Sequence, residues 1–139
     1  MKAKFALLCM AGAALAQDMT TSVWDGVYTQ AQAERGRGAY AKSCAACHGD
    51  QLTGGEIAPP LAGGEFMSNW NGVALGQLFD RISKDMPPGT PSKVARDAKV
   101  DILAFMLSVN KFPASDSREL PSQTAMMNAI RIDADQPKK

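Results

Sequence analysis

The stretch Cys44-Ala45-Ala46-Cys47-His48 decides how the rest of this sequence is interpreted. Its two thiols are one helical turn apart, so both can add to the two vinyl groups of one haem. The histidine that follows the second thiol then lies against the iron. The Cys-x-x-Cys-His pattern therefore predicts a single haem c, covalently bound through Cys44 and Cys47, with His48 as an axial ligand.

Three other kinds of site use cysteines at this spacing: a disulfide, a redox dithiol and half of a zinc site. A disulfide is normal for an oxidising compartment. A redox dithiol is typical of a strand-helix unit, and no convincing strand pattern is visible here. Four-ligand zinc needs further soft ligands, yet the sequence has one histidine and only Cys9 as a third cysteine. The haem interpretation is therefore favoured over all three.

The first 16 residues have the three parts of a secretory signal peptide. Lys2 and Lys4 precede an apolar run over residues 5–15, and Ala14-Leu15-Ala16 resembles a cleavage site. A retained membrane anchor is the alternative, but spanning a bilayer takes about 20 apolar residues. We therefore expect a mature chain from Gln17, a periplasmic location and no transmembrane segment after cleavage.

The length and charge of the chain limit the classes of function. A chain of 139 residues with 45% hydrophobic residues is the size of one compact domain. Of its 15 basic and 14 acidic residues, Lys2 and Lys4 leave with the signal, so 13 and 14 remain and the net charge is −1. This balance argues against nucleic acid and anionic membranes as partners. Cys9 would suggest a lipoprotein, but bulky Leu7 and Leu8 precede it.

After the predicted signal at residues 1–16, the patterns along the chain indicate three parts. Residues 17–27 are a polar lead-in arm, 28–113 a domain and 114–139 a C-terminal extension with an apolar patch at 126–130. Within the domain, Thr29 and Gln32 have the spacing of a capping box, which predicts a helix that continues to Ser43.

The remainder of the domain is predicted to contain one long loop and two more helices. Residues 49–72 are rich in Gly, Pro and Asn and are expected to form an ordered loop. Leu75, Leu78, Phe79 and Ile82 share one helical face, and Pro87 ends that helix. A further helix, apolar nearly all round, is expected over residues 97–110.

With these elements in place, residues 34–109 resemble the class I, mitochondrial-like c-type cytochromes. Gly36 and Tyr40 lie eight and four residues before the first cysteine, where that family has a glycine and an aromatic residue that contact the C-terminal helix. The partner pattern of that helix is similar to Asp101-Ile102-Leu103-Ala104-Phe105. The resemblance implies an all-α class I cytochrome c fold, three to five short helices wrapped around one haem.

The resemblance also assigns roles in the long loop. Ala58-Pro59-Pro60-Leu61-Ala62-Gly63 is similar to the family's Gly-Pro-x-Leu-x-Gly, in which the proline carbonyl orients the haem histidine; alanine replaces the first glycine. Pro59, Leu61 and Phe79 are thus expected near the haem. Trp70 resembles the family's indole that reaches a haem propionate, with simple wall packing as the alternative.

Met86 is the expected sixth ligand of the iron. A thioether suits low-spin iron and raises the reduction potential. Met86-Pro87 follows an apolar helix and matches the family's axial methionine. The other methionines lie in the signal, the arm, the loop, the buried helix or the tail, where methionine is more often a core residue: Met1, Met10, Met19, Met67, Met106, Met126 and Met127.

The resemblance implies an electron-transfer protein rather than an enzyme, because both axial positions are filled by protein. The expected partners are a dehydrogenase as donor and an oxidase or another cytochrome as acceptor. Trp24-Asp25-Gly26-Val27-Tyr28 and the Asn-x-Phe-Pro-Ala stretch at 110–114 also resemble cytochromes that accompany quinoprotein alcohol or sugar dehydrogenases. A permanently bound dehydrogenase subunit and a haem peroxidase or gas-binding protein remain the alternatives.

Overall fold

A computed structural model describes residues 20–138, and the fold over this range is predominantly helical. The predicted all-α class is confirmed. The elements are β1 (Thr21–Ser22), α1 (Gln30–Ser43), α2 (Ala45–His48), α3 (Gly64–Trp70), α4 (Leu75–Asp85), α5 (Arg96–Val109), α6 (Thr124–Met127) and β2 (Ile130–Arg131), with 3-10 turns at Val23–Asp25 and Pro91–Lys93. Two of these helices, α2 and α6, are single turns.

Helix α1 begins where the sequence predicts, but only half of the predicted capping box forms. The Thr29 hydroxyl accepts a hydrogen bond from the Gln32 backbone N–H at 3.1 Å. The Gln32 side chain does not return to Thr29; its amide donates to the Leu120 carbonyl at 3.3 Å and its Oε1 accepts from the Leu120 N–H at 2.8 Å. Gln32 is 2% exposed, so its amide needs buried partners, and the tail backbone supplies both.

The core forms where α1 crosses α5. A side chain at Gly36 would overlap the backbone carbonyl of Asp101, so the two helix backbones are in direct contact there. One turn further along, the Tyr40 and Phe105 rings pack with centroids 5.4 Å apart. The contacts that the resemblance implied for Gly36 and Tyr40 are therefore present. Beside the contact of Gly36 with Asp101, the Arg35 guanidinium donates to both carboxylate oxygens of Asp101 at 3.0 and 3.1 Å.

The two later helices follow the predicted patterns, and the long loop does not. Helix α4 ends at Asp85, and α5 is buried on nearly every side from Val100 to Leu107. The predicted loop over residues 49–72 contains α3, whose Phe66 is 1% exposed. The sequence did not indicate this helix because glycine is a poor helix former. Here the Gly63-Gly64 pair occupies only the start of the helix.

The lead-in arm and the C-terminal extension pack into the same core. The arm contributes Val23 and Val27, and the extension contributes a set of residues that are each at most 7% exposed: Leu120, Met127, Ile130 and Ile132. Within the apolar patch at 126–130, Met127 and Ile130 thus pack on the domain, whereas Met126 is exposed.

The two segments also meet directly through their backbones. Strands β1 and β2 pair in parallel, and the Trp24 indole N–H donates to the Asp133 carbonyl at 2.9 Å. The sequence showed no convincing strand, since two-residue strands carry no periodicity.

Among residues 20–138, none of the helices has the length and apolar character needed to cross a membrane. The predicted signal peptide, residues 1–16, lies outside the described residues.

Candidate haem-binding site

The Cys-x-x-Cys-His stretch forms α2, directly after α1. The Cys44 N–H donates to the Tyr40 carbonyl at 2.8 Å, and the His48 N–H donates to the Cys44 carbonyl at 3.0 Å. The two cysteines therefore lie one turn apart, as separate thiols, with Cys44 half-buried and Cys47 exposed. Burial raises the pKa of the Cys44 thiol, and the charge of Lys99 opposes that rise. Both thiols thus have the one-turn spacing that attachment to one shared partner requires.

The imidazole of His48 is held by one hydrogen bond. His48 is 8% exposed, and its Nδ1 lies 2.8 Å from the Pro59 carbonyl oxygen. A carbonyl oxygen can only accept, so Nδ1 carries the proton and Nε2 keeps a free lone pair for a metal. Orientation of a ligand histidine by such a bond is the usual arrangement at metal centres. The structure thus brings together the two residues that the resemblance paired.

The loop that carries Pro59 is stabilised by its own backbone. Gly54 N–H donates to the His48 carbonyl at 2.8 Å, and Leu61 N–H donates to the Leu52 carbonyl at 2.8 Å. Gly54 has φ +74°, and a Cβ there would overlap the backbone of Pro59 and Pro60. Glycine is therefore required at this position both for the left-handed backbone and for the close approach.

Two side chains also support this loop through contacts that the sequence did not indicate. The Tyr40 hydroxyl donates to the Gly49 carbonyl at 2.8 Å. Asn110 follows α5; its amide donates to the Leu61 carbonyl at 3.0 Å and its Oδ1 accepts from the Gly63 N–H at 3.1 Å. An asparagine directly after a long helix is a signal for a local cap, but nothing in the sequence indicates that its partner is 49 residues away.

The other predicted haem contacts lie in different surroundings. Leu61 and Trp70 are half-buried at the edge of the core, and Trp70 packs near Phe66 with ring centroids 6.5 Å apart. Phe79 is fully buried, with the Arg96 guanidinium 4.7 Å from its ring centroid. Phe79 is therefore a core residue in this structure, and its contact with haem stays a prediction.

Met86 lies directly after α4, where its N–H donates to the Ile82 carbonyl at 3.2 Å. It is half-buried, and the peptide bond to Pro87 is cis. Met106 and Met127 are fully buried in the core, and Met126 is 58% exposed. Among the methionines of residues 20–138, Met67 and Met86 are thus the half-buried ones. Met1, Met10 and Met19 lie outside the described residues.

The residues present fit a haem c. Two separate thiols lie one turn apart, and the neighbouring imidazole has one nitrogen free. Several apolar side chains that pack against the core are only half-buried, which leaves apolar surface on which a flat cofactor would pack; they include Leu61, Met67, Trp70, Ile82 and Val94. Among residues 20–138, no group of three or more His, Cys, Asp or Glu side chains could hold a metal ion.

A helical fold with this arrangement of thiols and imidazole defines a c-type cytochrome. A family model described as cytochrome c oxidase, cbb3-type, subunit III matches residues 31–106, more than half of the chain. The chain belongs to this family. The matched segment runs from the start of α1 into α5 and includes the Cys-x-x-Cys-His stretch and Met86. Searches of curated proteins and of solved structures found no match.

Proposed function

We propose that this protein is a monohaem c-type cytochrome that carries single electrons between redox partners outside the cytoplasm. Membership of a cytochrome c family supports a haem electron-transfer protein in general. The observation that carries the proposal is the His48 Nδ1 contact with the Pro59 carbonyl at 2.8 Å, beside two separate thiols. When bound, the haem supplies a reversible one-electron couple.

In this proposal each residue of the chain has a definite task. Cys44 and Cys47 would hold the haem by two thioether bonds. His48 and Met86 would ligate the iron, and the Pro59 carbonyl keeps the imidazole in one orientation. With the iron held by these two side chains, substrates and oxygen would have no place to bind. The Met86 thioether would raise the reduction potential relative to a second histidine.

The enzymatic alternative finds little support in the chain. A peroxidase or gas-binding protein would lack the Met86 ligand and would use an acid-base side chain near the open position. Histidine is the commonest such group, and the only histidine of the sequence is His48. We therefore favour electron transfer without catalysis at the iron.

The proposed partners are a dehydrogenase as electron donor and an oxidase or another cytochrome as acceptor. The matching family is named for a cbb3-type oxidase, which supports an oxidase on the acceptor side. The short motifs at 24–28 and 110–114 support a quinoprotein dehydrogenase instead, either as donor or as the enzyme of which this chain is a permanent subunit. Export through the predicted signal at 1–16 would place these reactions in the periplasm.

The first test is the mass of the mature protein. We expect a polypeptide from about Gln17 plus one haem that survives acid-acetone extraction. Cys47→Ala should retain a single, weaker attachment through Cys44, whereas changing both cysteines should release all haem. Haem that extracts freely from the unaltered protein would disprove covalent attachment. Gel filtration of native extract then distinguishes a free carrier from a permanent subunit.

A further inference from the structure

Lys99 is a buried cation that the proposed haem site does not use. It lies on α5 with only 4% of its surface exposed. Burial lowers the pKa of its ammonium group. A buried charge is costly unless hydrogen bonds replace its water. The partners of Lys99 therefore indicate why a lysine occupies this position.

Both partners are backbone carbonyls, one on each side of Met86. The Lys99 ammonium donates to the Ser83 carbonyl at 2.9 Å and to the Pro91 carbonyl at 2.8 Å. Ser83 belongs to the last turn of α4, and Pro91 begins the 3-10 turn that follows Met86. One side chain thus connects the two ends of the segment 83–91, which we call the methionine segment.

The Ser83 carbonyl needs this partner because of a proline. In α4 the Met86 N–H donates to the Ile82 carbonyl, so the next bond of the helix would run from residue 87 to Ser83. Residue 87 is proline and has no N–H to donate. The same proline that ends the helix after Met86 thus leaves a carbonyl that the Lys99 ammonium satisfies.

We infer that Lys99 is a positioning residue that keeps the methionine segment closed, with Met86 directed to the haem. The inference rests on the proposed function, because it takes Met86 as the axial ligand. Within the segment, Thr90 N–H donates to the Pro87 carbonyl at 3.0 Å, which shapes the turn but does not link it to α5. Among the described hydrogen bonds, those of Lys99 provide that link.

The experiment is a titration of the oxidised holoprotein with imidazole, a small ligand that occupies the Met86 position only when the segment opens. Lys99→Leu should bind imidazole roughly tenfold to a hundredfold more tightly, because charge-assisted hydrogen bonds shift such an equilibrium by one to two powers of ten. Lys93→Leu is the matched control: it removes the same charge from an exposed position beside the segment. It should change the affinity by less than about twofold.

Amide hydrogen exchange distinguishes positioning from general packing. In Lys99→Leu, exchange should accelerate at Met86 and Thr90 and stay unchanged at Gly54 and Leu61 on the His48 side. Lys99→Gln keeps an N–H donor without the charge and should give an intermediate imidazole affinity, which also provides a result if the leucine variant does not fold. Ser83→Ala keeps the backbone acceptor and should behave like the wild type.

Two results would overturn the inference. One is a folded Lys99→Leu protein with wild-type imidazole affinity; the other is equal acceleration of exchange on both sides of the site. Failure of the proposed function looks different: Met86→Ala would then keep the far-red sulfur-to-iron band of the oxidised protein. Loss of that band in Met86→Ala together with unchanged imidazole binding in Lys99→Leu would reject the role of Lys99 alone.

Discussion

The two sides of the proposed haem site are stabilised in different ways. On the His48 side, backbone groups within about a dozen residues bond one another, and the Pro59 carbonyl that orients the imidazole is part of the same short loop. On the Met86 side, two prolines limit the local bonding, and a lysine from α5 connects the segment to the core. The first side rests mainly on backbone bonds within its own loop, with support from the side chains of Tyr40 and Asn110, whereas the second is tied to the core by one side chain.

This difference has a consequence for dynamics. Opening the His48 loop breaks several backbone hydrogen bonds and moves Gly54 away from a close contact, whereas the hydrogen bonds that tie the Met86 side to α5 belong to one side chain. Segments with few such contacts open first in native proteins. We therefore expect the methionine segment to be the least stable part of the site.

Replacement of Met86 by alanine should remove the sixth ligand completely. The covalent haem should stay, the weak far-red band of the oxidised spectrum should vanish, and the reduction potential should fall because a thioether ligand is lost. Met106→Ala is the control, since Met106 is 1% exposed in the core. It should keep the band and lower the free energy of unfolding by about 2–5 kcal/mol. Loss of the band in Met106→Ala or Met67→Ala instead would show that the ligand is misassigned.

Met127 and Met126 test whether the tail supports the Met86 side through α4. Met127 is 0% exposed and Met126 is 58% exposed, although they are neighbours on α6, which packs against α4. In urea unfolding, Met127→Ala should lose about 2–5 kcal/mol, and Met126→Ala should change by less than about 0.5 kcal/mol. Amide exchange in Met127→Ala should rise more in α4, whose Gly76 lies against α6, than at Leu52 and Leu61. An equal rise at both places would mean that the tail supports the whole domain.

Gly54 and Gly63 test the His48 side with a matched pair of glycines. Both have positive φ, +74° and +87°, but only at Gly54 would a Cβ meet neighbouring backbone atoms. Gly54→Ala should lower the free energy of unfolding by about 2–4 kcal/mol, and Gly63→Ala by about 1 kcal/mol. The Soret and far-red bands should report whether His48 is still held. Equal losses in the two variants would mean that the close contact with Pro59 is not important.

The ionisation of Tyr40 gives the smallest effect, and it acts on the His48 side. Burial raises the pKa of Tyr40 from 10.0 to about 12. Between these values the unfolded chain releases a proton that the folded protein keeps, so the free energy of unfolding should decrease as the pH rises above about 10.

Urea unfolding between roughly pH 9 and 11 measures this decrease. Tyr40→Phe should show a flatter dependence of the free energy of unfolding on pH. The dependence should not vanish, because burial also raises the pKa of Tyr28 and that contribution remains in both proteins. Parallel curves for the two proteins would contradict the assignment to Tyr40.

Much of the fold could be predicted from the sequence because the relevant patterns are local. The period of the apolar residues predicts α4 and α5 to within a few residues, and Thr29 marks the start of α1. Helix α3 was missed because its glycines and asparagines are typical of loops, while the burial of Phe66 that stabilises it depends on the rest of the core.

The same distinction applies to the site. The Cys-x-x-Cys-His stretch is visible in the sequence because the attachment chemistry requires a fixed spacing, and the Pro59 loop was assigned from the resemblance to class I cytochromes. Gln32, Lys99 and Asn110 are ordinary polar residues in the sequence, and their roles come from backbone partners on other elements. The periodicity of apolar residues in a sequence does not indicate which backbone carbonyl will accept a hydrogen bond from a buried amide or ammonium group.

The hydrogen bond between the Trp24 indole and the Asp133 carbonyl spans 109 positions of the chain. Export from the N-terminus, through the signal predicted at residues 1–16, would deliver Cys44 and Cys47 before Asp133. During that interval both thiols are present while the final closing contact is not. We therefore expect a period in the life of each molecule when both thiols are accessible to the attachment machinery, and the meeting of β1 with β2 marks its end.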